Sequence, residues 1–163
     1  MMRRTSILAV AIIVICMITS PASAQDGKFG LGVVIGEPTG ISAKLWLGET
    51  SAIDGVVAWS FVNNSSITIH ADYLFHFFDV FSLEEKRIPL YVGIGGTISI
   101  ATEPAIGVRI PFGATYFFDS VPLDIFLEVA PIFLFLPATT FDFSGGIGVR
   151  YYFPTKKKSD GNR

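Results

Sequence analysis

Ile67-Thr68-Ile69-His70-Ala71-Asp72-Tyr73-Leu74-Phe75-His76-Phe77 alternates without a break. Ile67, Ile69, Ala71, Tyr73, Phe75 and Phe77 share one face; Thr68, His70, Asp72, Leu74 and His76 share the other. A sustained period of two marks a β-strand with one apolar and one polar side. The closing stretch repeats the pattern: Phe141, Phe143, Ile147, Val149, Tyr151 and Phe153 oppose Asp142, Ser144, Gly146, Gly148, Arg150 and Tyr152.

Working outward, turn clusters recur at Gly36–Gly40, Gly48–Ser51, Asn63–Ser66, Ala101–Pro104, Asp119–Pro122 and Pro137–Thr140. The alternating segments between them predict eight strands, 28–36, 41–47, 52–61, 67–77, 88–100, 106–118, 123–135 and 140–153. No helical period survives beyond residue 25. The expected fold is all-β, an eight-stranded antiparallel up-and-down barrel with short loops.

Which face points inward decides the class of barrel. The apolar face carries several large side chains per strand, too many for the narrow interior of eight strands. The polar face carries Gly30, Gly32, Gly93, Gly95, Gly107, Gly113, Gly146 and Gly148, which save space in a tight lumen and serve nothing on a solvated surface. The expectation is therefore a transmembrane barrel with its apolar side toward lipid. Phe77, Tyr116, Phe118, Tyr151 and Phe153 near strand ends, with Trp59 and Phe61 at the end of the third strand, suit interfacial girdles. The alternative is a soluble periplasmic lipocalin-like barrel with the faces exchanged.

The first residues form an address. Arg3 and Arg4, the apolar run Ile7–Ile18 and Ala22-Ser23-Ala24 predict a signal peptide over 1–24, cleaved after Ala24. The barrel then occupies 25–153, followed by a basic tail, 154–163, with Lys156-Lys157-Lys158. The apolar run is too short to span a bilayer as a helix. Cys16, the only cysteine, falls within the signal, so the mature chain has no thiol for redox, metal or nucleophilic work. Ile15 before it disfavours lipid attachment there. A formal charge of −2 leaves no electrostatic footprint for nucleic acid.

Parity places Lys44, Asp54, His70, Asp72, Arg109, Asp124, Glu128, Asp142 and Arg150 inside the barrel. Buried charges must pair, and counting across the hairpins sets Arg150 diagonally between Asp124 and Glu128, and Lys44 diagonal to Asp54. An ionic plug is expected. A gated ion or proton path, and hence a narrow channel, is the alternative.

His70 and Asp72 with Thr68 beside them lack a nucleophile elbow or second base, so no enzyme is expected. His70, Asp72 and His76 make a loose ligand set, and neither metal nor cofactor is expected. Glycine-rich segments inside strands, with no helix following, exclude a phosphate cradle. Pro111 and Pro131, within the sixth and seventh strands, predict a shared local bulge. The connection 78–87, with Glu84, Glu85, Lys86 and Arg87, is the longest.

The chain resembles the small eight-stranded outer-membrane barrels of the OmpA/OmpX type. More narrowly, it is similar to a domain family of unknown function from bacterial, notably spirochaete, envelopes. The narrower likeness rests on Gly36–Leu47, His70–Tyr73, Pro89–Gly96, Pro122–Glu128 and Gly145–Phe153. Gly148, Tyr151 and Phe153 also resemble a signal read by the barrel-assembly machinery. The resemblance implies a bacterial outer-membrane location, periplasmic termini, and outer-membrane lipid and the assembly machinery as partners. It implies no settled activity, and the first reading is a non-porin barrel with a structural or envelope-interaction role. A surface adhesin or receptor, binding a host or environmental protein through its loop tips, is the second reading.

Overall fold

The computed structural model describes residues 28–37, 39–60, 66–78, 80, 82–83 and 86–154. The expected signal peptide with Cys16, Phe61, Glu84, Glu85 and the lysines of the tail lie outside them. Eleven strands appear in chain order: β1 Phe29–Glu37, β2 Thr39–Trp46, β3 Ser51–Ser60, β4 Ser66–Phe77, β5 Ser82–Leu83, β6 Lys86–Arg87, β7 Leu90–Ile100, β8 Ala105–Arg109, β9 Phe112–Phe117, β10 Leu123–Leu136 and β11 Thr140–Phe153. β5 and β6 form a small separate hairpin within the long connection.

The other nine close into a ring. Each pairs antiparallel with its neighbours, and β11 returns to β1 from Phe29↔Phe153 to Glu37↔Gly145. β8 and β9 are two halves of one stave, both lying between β7 and β10. The barrel thus has the eight staves expected. Following paired residues from Phe29 through Leu45, Ile53, Tyr73 and Ile94, then across Ile110 and Pro131, leads to Phe143. Phe29 itself faces Phe153 across the seam, so the barrel is staggered by the ten residues from 143 to 153. Eight strands closed with such a stagger leave room for side chains and little else.

The shared bulge expected at Pro111 and Pro131 is absent. Registers on both sides of the break between β8 and β9 are the same, Gly95↔Arg109 continuing as Val92↔Phe112, and Ile132↔Arg109 as Val129↔Phe112. Pro131 pairs directly with Phe143 in an unbroken β10–β11 ladder. Each proline withdraws a donor but keeps its acceptor: Gly93 N–H donates to the Pro111 carbonyl (2.9 Å) and Ile110 N–H to the Pro131 carbonyl (3.1 Å). Those bonds hold the register, so the stave loses hydrogen bonds without slipping. The slip falls instead between Leu134 and Leu136, where β10 meets the start of β8.

The polar, small face points inward. Ile35, Ile53, Val57, Ile69, Phe75, Ile94, Ile98, Leu127 and Ile147 are exposed on the outer surface, whereas Lys44, Arg109, Arg150 and Asp124 are almost completely enclosed. Outward Phe29, Phe75, Phe77 and Phe153 ring the end that carries the termini; Trp59, Phe135, Phe141 and Phe143 ring the other. Tyr151 keeps outward parity but is buried, its ring 5.2 Å from that of Phe153.

The inner glycines make the plug possible. A Cβ on Gly30 would strike the Tyr152 ring, one on Gly113 the Tyr91 ring, and one on Gly148 the Phe126 ring. Three aromatic side chains thus lie flat across three glycines on neighbouring strands. Gly148 therefore has a packing role of its own, apart from any part in assembly. Gly148→Val, whose Cβ would also meet the Val33 carbonyl at 2.7 Å, is expected to cost about 1–3 kcal/mol through overpacking. A lowered urea midpoint at unchanged slope would register it.

Candidate functional site

β-strand pleating sends alternate residues inward, so each stave delivers a column of side chains to the lumen. Eight of the nine residues expected there line it; seven of them form three linked groups, and His70 stands beside the second.

The first centres on Arg150 of β11. Its Nε donates to Asp124 on neighbouring β10 (3.2 and 3.3 Å to the two oxygens), and its Nη1 donates to Asp54 Oδ2 on β3. Tyr152 donates to Asp124 Oδ2 (2.7 Å), Ser42 donates to Asp54 Oδ1 (3.4 Å), and the guanidinium stacks over Phe126 at 3.9 Å. The second centres on Arg109 of β8, which donates to Asp72 on β4 (2.8 Å) and Glu128 on β10 (2.7 Å). Tyr91 reaches across Gly113 to donate to Glu128 Oε2 at 2.8 Å. In the third, Lys44 Nζ lies 2.7 Å from His76 Nε2 and over the Trp46 and Tyr91 rings.

Two pairings differ from expectation. Arg150 stands directly opposite Asp124, not diagonal to it, and Glu128 faces Gly146. Lys44 stands directly opposite Asp54, yet its ammonium turns to His76 while Asp54 takes Arg150. The hairpin count was two residues out, and it could not register bonds made through the lumen.

Asp142 is not in the network. It keeps inward parity but is exposed, because β1 ends at Glu37, opposite Gly145, and among the described residues no strand pairs on that side with Thr140–Ser144. There the Asp142 carboxylate accepts the N–H of Phe143 at 2.8 Å. This covers a donor on the free edge of β11, as charged side chains do on edge strands.

Sequence reasoning missed Tyr91, Tyr152, Ser42 and Trp46. All four sit on the inward parity of their strands, so parity read for every polar atom, instead of for charges alone, would have found them. His70 approaches Asp72 Oδ2 only to 3.9 Å, and Thr68 donates to Ser99 (3.4 Å), so no triad forms around this histidine. His76, taken by Lys44, drops out of the loose ligand set that spacing suggested and that carried no metal expectation. Glu128 replaces it: one ligand atom each from His70, Asp72 and Glu128 lies within 4.8 Å of the others.

No protein-family model matches the chain, and no curated protein matches it. Among solved structures, the crystal structure of the N-terminal β-barrel domain of Pseudomonas aeruginosa OprF is similar, with a TM-score of 0.54 at 12% identity. The match covers 77% of this chain and 95% of that one. At that identity the likeness is one of fold: the ring of eight staves resembles that β-barrel domain.

Proposed function

We propose that this protein is a small, non-porin outer-membrane β-barrel, plugged by its ionic network, with a structural or envelope-interaction role. One observation carries this reading: large apolar side chains are exposed all along the outer face, while the largest fully buried ones include Arg109, Arg150 and Lys44. That inversion suits a wall facing lipid, where all backbone bonds must be internal and the ring closed. Lumen contacts support a plug over a channel, and a cleft beside His70 and Glu128 offers about 30 Å³, room for a water or two. The reading is non-enzymatic, and it keeps signal cleavage after Ala24, periplasmic termini, outer-membrane lipid and the assembly machinery as partners. The likeness to spirochaete envelope domains rests on the sequence segments alone.

A receptor role at the loop tips is the second reading. It is favoured by the β10–β11 hairpin, which outreaches β1–β2 and exposes Phe141 and Phe143 by 70% and 73%. The deciding test is electrophoresis of membrane-extracted protein, unboiled against boiled, alongside carbonate extraction. A mobility shift with retention in outer membranes is the expected result. A periplasmic protein without a shift would overturn the reading in favour of a soluble carrier.

A further inference from the structure

The charges of the lumen do not balance. Lys44, Arg109 and Arg150 face Asp54, Asp72, Asp124 and Glu128, all within the wall of the barrel. Each arginine serves two carboxylates, Arg109 taking Asp72 and Glu128 and Arg150 taking Asp54 and Asp124, but Lys44 stands opposite Asp54, so the group around Arg109 is the one left without a second cation on a paired strand. An uncompensated buried charge is costly, so this group is built to accept a further positive charge.

Its geometry says which kind. His70 is nine-tenths buried and lines the cleft with Glu128, its Nε2 standing 3.9 Å from Asp72 Oδ2. Asp72 Oδ1 is buried without a hydrogen-bond partner, its other oxygen being held by Arg109. One imidazole and two carboxylates therefore converge, with Asp72 Oδ1 unpartnered and Glu128 held through both oxygens by Arg109 and Tyr91. Two atoms each about 2 Å from a shared zinc-like ion lie at most about 4 Å apart, so a cluster within 4.8 Å needs to contract by about an ångström. Arg109 and Tyr91 then act as the outer partners that orient ligating carboxylates. Glu37 lines the same cleft.

We propose that His70, Asp72 and Glu128 form a binding site for a divalent first-row transition ion such as Zn²⁺. One imidazole with two carboxylates suits that class better than Ca²⁺ or Mg²⁺, which take all-oxygen shells. The site lies inside the barrel wall and does not depend on which membrane or compartment holds it.

The test uses the untagged full chain in detergent, dialysed against Zn²⁺ with metal measured per chain, and Co²⁺ as a spectroscopic probe of the wild type. One equivalent is expected, with d–d bands from a nitrogen-and-oxygen shell. His70→Gln and Glu128→Gln should each weaken binding at least tenfold, and His76→Gln should leave it unchanged. Absence of stoichiometric metal in the wild type, or binding that His70→Gln leaves unchanged, overturns the site. The Co²⁺ spectrum of the wild type decides even if a variant fails to fold. A chain that shifts on heating but binds no metal loses only this site; one that binds metal but stays soluble loses only the outer-membrane reading.

Discussion

Arg150→Met is expected to lower the unfolding free energy by about 3–5 kcal/mol, the range for removing one partner of a buried ion pair. The guanidinium is fully buried and is the common partner of Asp54 and Asp124, so its loss strands two carboxylates at once. Tyr152 still donates to Asp124 and Ser42 to Asp54, which keeps the loss finite. Urea titration followed by the electrophoretic shift measures it. Adding Asp54→Asn and Asp124→Asn should recover much of the loss, since neutral amides are cheaper to bury than unpaired charges. Asp142→Ala is the matched control: an exposed carboxylate with one local bond should change stability by no more than about 0.5 kcal/mol. A similar loss in both variants would mean that the interior network does not hold the barrel.

Ile94→Arg should cost about 2–4 kcal/mol in a bilayer, the penalty for a cation at the midplane of a lipid-facing strand. Ile94 is 59% exposed and stands near the middle of β7, pointing outward. In a soluble barrel the same position would meet water, and arginine there would be close to neutral. The measurement is the folded fraction in liposomes across a urea series, with Ile94→Leu beside it. A harmless arginine would contradict the membrane reading without touching the fold.

Much of this architecture was legible in the sequence. Period two located all eight staves, and glycine on the polar parity told inside from outside. The lumen charges followed from the same parity, because a strand has only two faces. Other features were hidden. Asp142 has the parity of Arg150, but only the length of β1, ending at Glu37, decides that the wall stops short of it. The proline bulge was a sound local expectation, defeated by carbonyls that still accept bonds from Ile110 and Gly93. Arg150 and Asp54 meet across the lumen. Their meeting depends on the ten-residue stagger, which exists only once the ring is closed and leaves no trace in any single hairpin.

The strut from Arg150 to Asp54 joins residues 96 positions apart and belongs to the last strand of the barrel. Its formation must wait for the return of the C-terminal strand to β1, since distant contacts are made only after loop entropy has been overcome. Until then Asp54 has no cation from β11, and the interior is an unfinished charge lattice open along one side. Sealing the wall and neutralising the interior are thus a single cooperative act, which makes a half-assembled barrel unstable by its own electrostatics and the completed one slow to reopen.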